Sequence, residues 1–95
     1  MPYEPPPDIA DRIEQDFGRG AIDGIRDILQ PVVEAGLGDR IVRCILWLAE
    51  GDPGKLRHYA EQAVKDYRDV ISWAEYDSTR RTHEFNEPFE RSSLG

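Results

Sequence analysis

Apolar residues recur along this chain three and four positions apart, in runs that glycine and proline separate. That spacing predicts helices, not strands. Ile9, Ile13 and Phe17 form the first run, a narrow stripe with Asp11, Arg12, Glu14 and Asp16 between its members. Asp8 precedes it as a helix N-cap, and Gly18-Arg19-Gly20 closes it. Ile22, Ile25, Ile28, Leu29, Val32 and Val33 mark a second helix starting near Ala21. Pro31 lies inside that run. It lacks an N–H and its ring crowds the preceding turn, which predicts a kink or a restart near Gln30. Gly36-Leu37-Gly38 ends the element.

The third run is the most apolar. Asp39 is its expected N-cap, with Leu37 as a hydrophobic staple. Ile41, Val42, Cys44, Ile45, Leu46, Trp47, Leu48 and Ala49 then cover nearly the whole circumference of a helix. A helix apolar on most sides is buried on most sides, so this one is read as the centre of the fold. Gly51-Asp52-Pro53-Gly54 follows. Gly51 suits a left-handed helix end, Asp52 a cap, and Pro53 the first position of a new helix. A connection this short makes its two helices antiparallel neighbours.

The fourth helix is read as one continuous element from about Pro53 to Tyr76, the longest in the chain. Leu56, Tyr59, Ala60, Ala63, Tyr67, Val70, Ile71 and Ala74 form its stripe, widened by Val64 and Trp73. Arg57–Glu61, Glu61–Lys65 and Lys65–Asp69 are spaced to pair along the outer face. From Asp77 onward the periodicity stops. The fold expected is therefore all-α: a small bundle of three to four helices on an antiparallel helical hairpin, with disordered tails at both ends. An extended proline-rich leader covers 1–7, the helical domain 8–77 and a flexible tail 78–95. Phe85 and Phe89, four residues apart, are the aromatic residues of that tail.

Composition narrows the function classes. The 95 residues fit one domain with a thin core. The net charge is −7, and residues 1–17 hold five acids against Arg12. No run is basic enough for a phosphate-binding footprint, so nucleic acid is not an expected partner; Arg80-Arg81 is a weak exception. No apolar run reaches the length of a membrane helix and no secretory signal is visible, so the expectation is a cytoplasmic protein without a membrane partner.

Candidate chemistry is sparse. The single cysteine, Cys44, excludes an internal disulfide and reads as a buried, inert hydrophobe. His58 and Glu61 share a helix face but lack further ligands, so no metal or other cofactor is expected. Asp66-Tyr67-Arg68-Asp69 is the densest polar cluster, with two carboxylates a turn apart and no nucleophile beside them. Arg43 and Arg68, each flanked by apolar residues, are expected to pair with acids across the hairpin. Tyr59 and Trp47 are read as filling the hairpin core. The binding candidates are Arg68, Trp73, Tyr76, Trp47, Phe85 and Phe89, because aromatic residues and arginine dominate interface energetics. The function expected is a non-catalytic protein–protein interaction module, with another protein or a second copy as partner and no catalytic residues. The alternative is a small enzyme or enzyme subunit using Asp66, Arg68 and Asp69.

Overall fold

The computed structural model describes residues 3–77 and 80–81. Its elements are α1 (Pro7–Phe17), a 3-10 turn (Arg19–Ala21), α2 (Ile22–Glu34), α3 (Gly38–Ala49) and α4 (Pro53–Glu75). A two-residue ladder follows, β1 (Tyr76–Asp77) antiparallel to β2 (Arg80–Arg81), pairing Tyr76 with Arg81 and Asp77 with Arg80. The all-α bundle expected from the pattern is the observed architecture. Phe85 and Phe89 lie outside the described residues.

The core has the expected centre. Ile41 to Leu46 of α3 are buried without a gap, and Ala49 closes the run. Ile9 and Ile13 of α1, Ile25, Leu29 and Val32 of α2, and Leu56, Ala60, Ala63, Val70 and Ala74 of α4 pack in the same cluster. Three residues between α3 and α4 make the connection. Glu50 and Gly51 both take left-handed backbone, at φ 52° and 77°. Asp52 Oδ1 then accepts from the N–H of Gly54 at 2.8 Å and of Lys55 at 3.3 Å, and Pro53 opens α4. A Cβ on Gly51 would sit 3.2 Å from the carbonyl oxygen of Asp16, so the turn is also pressed against the end of α1.

Glycine likewise ends α2. Gly36, at φ 76°, donates to the Val33 carbonyl at 2.9 Å and Leu37 donates to that of Val32 at 3.4 Å. This is the Schellman arrangement, which satisfies carbonyls that the helix itself leaves open. The helix runs through Pro31 without a restart. Pro31 and Asp27, whose carbonyl loses its intrahelical donor to the ring, are both exposed, so water can take that acceptor.

Three local expectations are corrected. Pro6, not Asp8, occupies the N-cap position of α1, because Pro7 fits N1 without needing a hydrogen-bond acceptor. Asp8 falls in the first turn, where its carboxylate is available to a partner on another helix. Asp39 falls in the first turn of α3 and makes no cap, its N-cap position being taken by Leu37. Finally, the leader expected to be loose is docked at Tyr3. Its side chain is buried, its N–H donates to Gln30 Oε1 at 2.7 Å, and its hydroxyl donates to Asp39 Oδ1 at 3.0 Å.

The larger correction concerns α4. Asp66 has extended backbone, φ −156° and ψ 96°, inside what the periodicity reads as one helix. The element is two arms, 53–65 and 67–75. Asp66 caps the second: its Oδ1 accepts from the Arg68 N–H at 3.1 Å, two residues on, where a helix N-terminus leaves donors open. The three outer-face pairs expected along α4 do not close to ion-pair distance among the described residues, and the break removes the spacing that Lys65–Asp69 relied on.

Candidate protein-binding surface

The break brings together two rings that a straight helix keeps apart. Tyr59 and Trp73 are fourteen residues apart, about 21 Å along an unbroken helix. Their ring centroids lie 6.0 Å apart at 64°, an edge-to-face contact. His58 stacks edge-to-face on Tyr59 at 5.2 Å. The arms must therefore turn toward each other at Asp66. Trp73 remains 49 % exposed in this contact, and Tyr76, three residues on, is 39 % exposed. Tyr59 is partly buried against the core. Of the binding candidates, Trp73 and Tyr76 are thus at the surface, with Trp73 braced on one side.

Trp47 is not in the hairpin core. It stands at the outer edge of α3, with the Arg12 guanidinium 5.6 Å from its ring centroid, and Asp16 accepts from Arg12 Nε at 2.8 Å. Arg12, Asp16, Trp47, Leu48 and Glu50 line a recess of about 540 Å³. The apolar circumference of α3 is complete without Trp47, because Ile41, Val42, Ile45, Leu46 and Ala49 already fill the inner positions.

The arginines pair differently from the expected pattern. Arg43 is buried, and its Nε and Nη2 donate to Asp8 at 2.8 and 3.2 Å, joining α3 to α1 instead of crossing to α4. This bond to Asp8 outweighs the cost of burial and holds the Arg43 guanidinium more firmly protonated than usual. Arg68 donates to Asp66 within its own turn, at 3.1 and 3.3 Å, with its side chain open to solvent. The same bonds hold the Asp66 carboxyl below its ordinary range. Arg40 is the residue that pairs across to α4. Its Nε and Nη2 donate to the two oxygens of Glu75 at 2.8 and 2.9 Å.

Glu75 is wholly buried, a position that its charge hides in the sequence although it lies four residues after Ile71 on the edge of the apolar stripe. The Cys44 Sγ–H donates to its Oε2 at 3.7 Å. Burial, then the charge of Glu75, push the Cys44 thiol well above its ordinary value, which is the opposite of a reactive cysteine. Tyr3 is raised for similar reasons, burial first and then the charge of Asp39.

As to chemistry, the Asp66 carboxylate is occupied in capping and in pairing Arg68, and Arg68 and Asp69 are exposed. None of the three lines the recess above, the groove between α2 and α4, or the shallow concavity of Gly36, Leu37, Arg40, Ile41, Tyr67 and Ile71. No cluster of three or more potential metal ligands forms among the described residues. No helix among them is long and apolar enough to cross a membrane. Compared with protein-family models, with curated proteins and with solved structures, the chain matches none.

Proposed function

We propose that the protein is a non-catalytic protein–protein interaction module, acting as a small cytosolic regulator, adaptor or inhibitor-type binding protein. The observation that carries this reading is Trp73. It presents about half its surface to solvent while Tyr59 fixes its other side. A ring already held in place loses little freedom on binding, and large aromatic residues supply most of the energy at interfaces. The solvent-facing Arg68 on the same arm of α4, and Tyr76 directly after it, are residue types that recur at such hot spots.

The test is affinity capture on the immobilised full chain, run beside Trp73→Ala and Tyr76→Ala. A protein retained by the parent chain and lost by either variant, with the circular dichroism spectrum unchanged, is the expected result. Identical captured sets from all three would overturn the assignment of this surface.

A further inference from the structure

We propose that the protein associates with a second copy of itself through the groove between α2 and the first arm of α4, an inference that rests on its reading as an interaction module. The groove holds about 480 Å³ and is floored by Ile28, Pro31, Ala60 and Val64. Val64 is 50 % exposed, a large apolar side chain left to water in a domain whose other valines are at least partly buried. Nothing in the adjoining helices covers that floor.

The walls say what fits. Asp27 stands on the α2 side; Arg57 and Lys65, with Glu61 between them, stand on the α4 side. Asp27, Arg57 and Lys65 flank one groove, yet none of them makes an ion pair among the described residues. A peptide of a single charge sign would be attracted by one wall and repelled by the other. The complement needed has an acidic edge, an edge that is basic on balance and an apolar strip between, which is what the groove itself presents. A two-fold axis along the groove carries α2 of one copy over α4 of the other. Asp27 then faces Arg57 and Lys65 of the second copy, twice by symmetry, and the two apolar floors meet.

Sedimentation equilibrium of the full chain over a wide concentration range tests this. The parent chain is expected to give a dimer mass at high concentration. Asp27→Lys is expected to raise the dissociation constant about tenfold or more, because it sets like charges across both halves of the contact. The double variant Arg57→Glu with Lys65→Glu is expected to do the same, and combining all three substitutions to restore most of the affinity. Val64→Glu is expected to weaken association as well. These positions are exposed, so circular dichroism should confirm an unchanged fold. A monomer at every concentration, a single reversal without effect, or failure of the triple variant to recover would each overturn the proposal. Loss of dimer leaves capture through Trp73 untouched, so the two readings fail in separate experiments.

Discussion

Arg40 and Glu75 form one ion pair, but removing either partner should have very different consequences. Glu75 is 0 % exposed, whereas the Arg40 side chain keeps 32 % of its surface in water. Arg40→Met removes the guanidinium from a carboxylate wholly buried beside Cys44. Breaking a buried pair this way costs about 3–5 kcal/mol, and the complete burial of Glu75 places the expected loss in that range. Glu75→Met leaves instead a guanidinium that can turn into solvent, and the methionine fills similar volume. Its expected cost is about 1 kcal/mol or less. A domain with this many ordered residues is stable by roughly 4–11 kcal/mol, so the first change is severe and the second mild.

Urea unfolding followed by circular dichroism at neutral pH measures both. A second dimension separates electrostatics from packing. A buried carboxylate that has lost its guanidinium costs less when it is protonated, so acid should relieve the Arg40→Met variant. The deficit of Arg40→Met against the parent chain should shrink in mild acid, while that of Glu75→Met should not. The double variant should resemble Glu75→Met. Equal losses for the two single variants, or an Arg40→Met deficit unchanged by pH, would refute the reasoning.

Two further outcomes follow from local geometry. Gly51→Ala meets both a left-handed backbone at φ 77° and the Asp16 carbonyl at 3.2 Å, so it should lower stability by about 1–2 kcal/mol in the same urea assay. Tyr3 and Cys44 hold their protons above their ordinary values of 10.0 and 9.0 in the folded state, so stability should be full below about pH 9 and fall as pH rises beyond it. Tyr3→Phe should flatten that alkaline limb; absorbance at 295 nm showing all four tyrosines titrating together in the folded protein would refute it.

What the sequence makes legible is whatever is settled within a few residues. Asp52 and Pro53 start α4 as their chemistry requires, and Gly36 ends α2 for the same reason. The near-continuous apolarity of Ile41 to Ala49 also identifies the central helix without knowledge of its neighbours. Contacts between distant segments are another matter. Asp8 with Arg43, and Arg40 with Glu75, each span 35 residues. Periodicity assigns such residues to an edge of a helix but cannot say which other edge will lie against it. Tyr3 sits in a proline-rich segment with no period at all, so its burial left no trace in the pattern. Of the surface, Trp73 and Tyr76 were identified as candidates, while Trp47 moved from the expected core to the outside.

The break at Asp66 escaped for a more specific reason, which also explains why it exists. Folding a helix over at one residue leaves the stripe within each arm intact, so the apolar periodicity from Leu56 to Ala74 is the same for a straight helix and a broken one. Length distinguishes them. The 23 residues of α4 would span about 35 Å if straight, against about 18 Å for the 12 residues of α3. A straight α4 would carry its second half past the end of α3, with Val70 and Ala74 facing water. In the observed arrangement Tyr67 and Ile71 line a concavity with the start of α3, Val70 and Ala74 are buried, and Glu75 reaches Arg40 and Cys44. The helical hydrogen bonds lost at the break are offset in part by the Asp66 cap and by the burial of those side chains. The contact between Tyr59 and Trp73 is a consequence of that return. The proposed binding surface therefore exists only while the second arm is docked, and the ion pair of Arg40 with Glu75 is among the contacts that dock it.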